Sequence, residues 1–195
     1  MMDLKILLYF VKNIKVLDVG SGDINGNNRF LFENCEYHGN DVIEAQNVTI
    51  ISKTKDLKFE NNYFDVIIST ECFEHDPEYK QSFEKIYNML KSNGLFIFTC
   101  ASTGRKEHGT IRTSINDSYG TIAQLVDMQD YYKNLTENDL NEVLNLKTLF
   151  SKYDTYCDLY FVGIKKKFSL NSITINDLPT FTDENNIIKT TDNIS

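Results

Sequence analysis

Short apolar runs recur along this chain with helical or polar stretches between them, and that alternation predicts its architecture. Residues 14–19 form an apolar run that closes on glycines, as expected of a strand buried on both faces. Residues 63–70 and 94–100, rich in β-branched and aromatic side chains, are the clearest strands. Residues 35–40 and 48–52 are weaker ones, with almost no room for a helix between them. Between the two clearest strands the period changes. Asp76 is placed to cap a helix whose first residue is Pro77, where a missing N–H costs nothing. Phe83, Ile86, Tyr87 and Leu90 then repeat at i, i+3, i+4 and i+7 as one apolar face, and Asn93-Gly94 should end it. Strand, helix and strand in succession make a crossover, so the flanking strands should run parallel.

Further on, Thr136-Glu-Asn-Asp139 reads as an Asp version of the capping box. Residues 146–166 hold two strand-like stretches with a polar interruption near 153–158, which predicts a pair of antiparallel neighbours. The first residues are briefly apolar but carry Asp3 and Lys5, and they predict a short lead-in helix rather than a signal peptide. From Phe168 onward the sequence is polar, rich in Asn and Thr and without periodicity. One α/β domain over 1–167 followed by a flexible tail over 168–195 is therefore expected.

Composition narrows the classes of function. A chain of 195 residues with 41% hydrophobic side chains suits a single globular core. The net charge of −8, with no basic run, argues against a nucleic-acid partner. No segment approaches the roughly 20 apolar residues that span a bilayer, so no membrane insertion is expected. Cys35, Cys72, Cys100 and Cys157 form no Cys-x-x-Cys pair. They read as reduced core thiols of a cytoplasmic protein, and no metal site is expected.

The first strand opens into Asp18-Val-Gly20-Ser21-Gly22-Asp-Ile-Asn-Gly26, where glycines permit a tight turn and close approach of a ligand to the main chain. Asp41 ends the second strand about 20 residues on, where a carboxylate can accept hydrogen bonds from a ribose diol. Together these features indicate an adenosine-containing cofactor without choosing between NAD and S-adenosylmethionine.

Three ordered segments carry more. Val16-Leu-Asp-Val-Gly-Ser-Gly22, Phe64-Asp-Val-Ile-Ile-Ser-Thr-Glu-Cys-Phe-Glu-His-Asp-Pro77 and Leu90-Lys-Ser-Asn-Gly-Leu-Phe-Ile-Phe98 resemble segments of the class I S-adenosylmethionine-dependent methyltransferases. The resemblance extends over residues 12–166. It implies a Rossmann-like α/β three-layer sandwich with a mostly parallel sheet and an antiparallel final strand. It also implies S-adenosyl-L-methionine as cofactor and S-adenosyl-L-homocysteine as product. By position, Asp18, Gly20, Ser21 and Gly22 would bracket the methionine end of the cofactor, and Asp41 would hold the ribose. Asp56 and Leu57 would border the adenine, and Ser69, Thr70 and Glu71 would lie beside the methionine moiety. Ile24 departs from the family by standing where a third glycine is usual. Residues 98–110 and 130–136 resemble methyltransferase-domain proteins associated with glycan or polysaccharide synthesis, which implies a hydroxylated small-molecule acceptor such as a sugar or nucleotide-sugar.

Methyl transfer from a sulfonium is an in-line displacement that needs positioning, and a hydroxyl acceptor also benefits from a base. Of the three histidines, His38 is expected to pack or face solvent, which leaves His108 and His75 as candidate bases. Arg105, Glu107 and Arg112 are candidates for holding the acceptor, with Tyr131 and Tyr132 stacking on a sugar face. The blander roles are a helix-packing His75, a solvated loop and core tyrosines. Two alternatives stay open: a catalytically silent cofactor-binding subunit, and an NAD(P)-dependent oxidoreductase using Tyr87-x-x-x-Lys91.

Overall fold

The computed structural model describes residues 13–24 and 26–166. The expected lead-in helix and the tail over 168–195 lie outside these residues. Seven strands form one sheet: β1 (Lys15–Val19), β2 (Glu36–Asp41), β3 (Ile50–Ile51), β4 (Phe64–Thr70), β5 (Leu90–Ala101), β6 (Leu146–Tyr153) and β7 (Asp158–Lys165). Their order is β3-β2-β1-β4-β5-β7-β6. The first five are parallel to one another, and β7 runs antiparallel to both β5 and β6. The two strand-like stretches with a polar interruption in 146–166 thus gave the right pairing, with β7 lying between β5 and β6. Asp154 shapes the connecting turn, its Oδ1 accepting from the Tyr156 and Asp158 N–H groups at 2.8 and 3.0 Å.

Order reverses between β1 and β4. From that central pair the chain runs outward through β2 and β3 on one side and β5 on the other, so the C-terminal ends of β1 and β4 open a crevice at the switch point. The larger core lies on the sheet face covered by α1 (Tyr79–Met89) and α3 (Glu137–Asn141), the short α2 (Tyr119–Ile122) falling between them in the chain. Phe73, Phe83, Phe96 and Phe98 fill it, with Phe73 and Phe83 edge-on at 4.7 Å between ring centroids. The opposite face buries Ile14, Val16, Val66, Ile68 and Ile97 beneath Phe32 and the short 3-10 turn Arg29–Leu31.

Two details of the helix differ from its sequence pattern. Asp76 and Pro77 do not start it: α1 begins at Tyr79 with Glu78 as its N-cap, and Asp76 instead braces the preceding turn, accepting from the Glu78 N–H at 2.8 Å and from the Ser82 hydroxyl at 2.6 Å. The helix also stops at Met89. Leu90 is fully buried as expected, yet it is the first residue of β5 and pairs with Phe64. Asn93, at φ 64°, shapes a bulge between the Phe64 and Val66 pairings rather than a helix end. The capping box forms as expected, with the Thr136 N–H on Asp139 Oδ2 at 2.9 Å, although α3 is only a turn long. Among the described residues no helix is long and apolar enough to cross a membrane.

Candidate active site

The crevice at the switch point is a cleft of about 720 Å³. Its lining includes Gly20, Gly22, Asn40 and Asp41 together with Thr70, Glu71, His75, Arg105, Glu107 and His108. Apart from Asn40, sequence reasoning drew these residues from four separate segments, and the sheet brings them together.

The glycine turn is tied to β2 by two hydrogen bonds, from the Gly20 and Ser21 N–H groups to Asn40 O at 2.9 and 3.0 Å. Gly20 sits at φ +70°, and a Cβ there would lie 2.6 Å from the Cys72 side chain, so only glycine fits. Gly22 donates its N–H to Asp41 Oδ2 at 2.9 Å, and Val42 donates to Asp41 Oδ1 at 2.7 Å. These bonds fix the carboxylate at the cleft edge while burial raises its pKa. Asp18 is wholly buried beneath the turn and does not line the cleft. It accepts from Asn28 Nδ2 at 3.0 Å and from the Tyr37 hydroxyl, and Asn28 also reaches Thr70 Oγ1 at 3.2 Å. Burial outweighs these bonds and pushes the Asp18 pKa up to about 6. Ser21 and Ser69 are likewise buried behind the turn and the end of β4.

Other residues stand elsewhere than expected. Leu57 belongs to the main core, and Asp56 faces outward beside Lys55, so neither reaches the cleft. Ser52, Lys53 and Thr54 line it instead. With β3 only two residues long, the chain turns toward the cleft earlier than the family spacing implies. Arg112 does not reach the cleft because its guanidinium is taken by Glu107 at 2.7 Å and by Asp130. Arg105 lines it while paired to Asp158 at 3.2 Å. Tyr131 stays outside the lining. Tyr132 sits behind it, its ring centroid 5.1 Å from His108 and 5.6 Å from His75.

His75 is buried, with neither ring nitrogen partnered, and its ring meets that of His108 edge-on at 5.0 Å. Burial, aided by the neighbouring His108, lowers the His75 pKa to about 3, so this imidazole is neutral near pH 7. His108 is half-buried, and its Nδ1 stands 3.2 Å from Lys106 O. A carbonyl can only accept, so in the neutral ring Nδ1 carries the proton and Nε2 the lone pair. Sequence reasoning missed Asn28, Asn40 and the segment Ser118–Tyr119–Gly120, which closes one wall of the cleft. It also missed Glu74, buried beside His75. The Glu-His pair was visible in the sequence, but nothing there showed which way its carboxylate points. Tyr87 and Lys91, the pair an oxidoreductase would need, lie outside the cleft; Lys165 covers the Tyr87 ring, and Lys91 pairs with Asp65 at 2.8 Å.

Residues 17–98 match the family model described as a methyltransferase domain. Residues 17–98 thus form a methyltransferase domain with the glycine turn and Asp41 on one crevice, and the activity they support is S-adenosylmethionine-dependent methyl transfer. Solved structures share the fold at low identity. A Burkholderia thailandensis 1,6-didemethyltoxoflavin-N1-methyltransferase is 18% identical with a TM-score of 0.58, over 84% of this chain and 77% of that one. An S-adenosylmethionine-dependent methyltransferase from Mesorhizobium loti is 13% identical with a TM-score of 0.57, over 83% and 95%. Haemonchus contortus phosphoethanolamine N-methyltransferase 2 is 19% identical with a TM-score of 0.54; 85% of this chain matches 52% of that enzyme, about half its length. No curated protein matches the chain in sequence.

Proposed function

We propose that this chain transfers a methyl group from S-adenosylmethionine to a small hydroxylated acceptor of sugar type. The observation that carries this reading is a cleft lined by two unlike sets of groups. One set, the glycine turn and the Asp41 carboxylate with Thr70 and Glu71 beside them, suits a ribose and the methionine moiety. The other, His75, Arg105, Glu107 and His108, offers polar and imidazole groups that suit a polar acceptor. Gly20, Gly22 and Asp41 are the cofactor-binding residues in this reading, and Asp18 and Ser21 hold their turn from below. The chemistry needs the acceptor oxygen in line with the methyl–sulfur bond and a route for its proton. His108 Nε2 is the proton acceptor, because His75, lowered to about 3, is too weak a base. The glycan association itself rests on the sequence resemblance; the structural neighbours act on chemically varied small molecules.

Calorimetry with S-adenosylhomocysteine tests the cofactor half. Asp41→Ala should weaken binding at least about tenfold by removing a charged hydrogen-bond partner. Unchanged affinity would refute the assignment. A screen of sugar, amine and peptide acceptors with labelled cofactor tests the other half. On any acceptor found, His108→Ala should lower turnover roughly a hundredfold with cofactor affinity kept, whereas His75→Ala should not act as loss of a base.

A further inference from the structure

Three buried polar atoms next to the cleft lack partners. Glu74 is fully buried in the 3-10 turn Phe73–His75 that follows β4; its Oε1 accepts from the Ala101 N–H at 3.1 Å, but Oε2 accepts nothing. The adjoining His75, 5% exposed, has both Nδ1 and Nε2 unpartnered. Buried polar groups are almost always hydrogen-bonded, and a group that is not needs an explanation. Here one side chain of each kind sits orphaned at the same spot, and a third ligand-bearing group faces them. Donor atoms of Glu74, His75 and His108 lie within 4.8 Å of one another.

We propose that Glu74, His75 and His108 form a binding site for a divalent first-row transition-metal ion, with zinc as its reference occupant. The donor set decides the class of ion. Two imidazole nitrogens and one carboxylate oxygen suit zinc, iron or manganese, whereas magnesium and calcium prefer oxygen throughout. His108 is already oriented as a ligand: its Nδ1–H donates to Lys106 O at 3.2 Å, which leaves Nε2 for the metal and supplies the carbonyl support that ligating histidines usually have. A tetrahedral ion with bonds of about 2.0–2.2 Å sets its ligands roughly 3.5 Å apart, so small side-chain rotations close the site. The Tyr132 ring, packed against both imidazoles, forms its wall.

Because His75 and His108 both line the cleft, the open coordination position faces it. An acceptor oxygen there would be polarised by the ion and its pKa lowered, so that with the His108 Nε2 lone pair held by the metal the proton would pass to water in the cleft. That consequence alone rests on the methyl-transfer reading; the metal site does not.

The test uses full-length, tag-free protein stripped with chelator and titrated with Co²⁺ and then Zn²⁺. A single equivalent of Co²⁺ should give a visible d–d absorption band that Zn²⁺ displaces. Glu74→Gln keeps the side-chain shape, and His108→Ala alters a half-buried loop residue; each should weaken Zn²⁺ binding by about a hundredfold or more. His38→Ala, which changes the remaining histidine, should leave it unchanged. No band in the intact chain would overturn the proposal and leave the orphaned atoms to buried water. Zn²⁺ affinity in both ligand variants unchanged from that of the original chain would overturn it as well. S-adenosylhomocysteine calorimetry on the same samples reports folding and keeps the readings separate: metal bound without this ligand would sink the methyl-transfer reading alone, and the reverse would sink the metal site alone.

Discussion

Asp18 gives the sharpest link between the glycine turn and stability. It is wholly buried, and burial holds its pKa at about 6 against an ordinary 3.8, despite hydrogen bonds from Tyr37 and Asn28. A folded pKa above the unfolded one means the native state binds its proton more tightly. The associated stability is fully present below the unfolded value and is lost as pH rises through about 6. A shift of about two units corresponds to about 3 kcal/mol in total, of which roughly 1 kcal/mol is lost between about pH 5 and about pH 7.5. Asp18→Asn keeps the shape and lets Oδ1 accept from Asn28, but it cannot ionise. The stability of the original chain relative to Asp18→Asn should therefore fall by about 1 kcal/mol over that interval. Urea unfolding followed by circular dichroism is the appropriate assay, since the chain has no tryptophan. Carboxylates common to both proteins cancel in the difference. Parallel pH profiles for the two proteins would refute the buried, shifted carboxyl.

Gly22→Ala should disturb the cleft more than the fold. Its Cβ would lie 2.0 Å from Tyr119 Cε2 and 2.9 Å from Asp41 Oδ2, so the Tyr119 ring must swing away and Asp41 must shift. Calorimetry should show S-adenosylhomocysteine affinity lower by about tenfold, while the melting temperature moves by only a few degrees. Asp139→Ala should cost about 2 kcal/mol in chemical denaturation, through loss of the capping box and of the Lys133 and Tyr79 contacts. Burial alone would raise the Asp139 pKa, but these bonds hold it at about 2. Its contribution is thus present above the ordinary carboxylate range and is lost as pH falls through about 2.

The sequence by itself determined whatever depends on local pattern. The runs over 14–19, 63–70 and 94–100 could bury themselves only as strands. The apolar period from Phe83 required a helix, and the glycines before Asp41 required a tight turn beside a carboxylate. The antiparallel pair at the end was legible because its two strands are joined by a short polar turn. Tertiary structure decided what depends on which surfaces meet. Leu90 left the helix because pairing with Phe64 buries it in the sheet, an outcome that helical period cannot anticipate. Arg112 satisfied the same charge pattern as an acceptor-binding residue, yet Glu107 and Asp130 lie within reach and take its guanidinium. Asp56 and Leu57 missed the cleft because β3 is too short to carry them there. Glu74 and His75 are neighbours in the sequence, but His108 joins them only because the segment after β5 folds back over the end of β4. Spacing along the chain fixes which side chains share a face; only the packed sheet fixes which of them share a cleft.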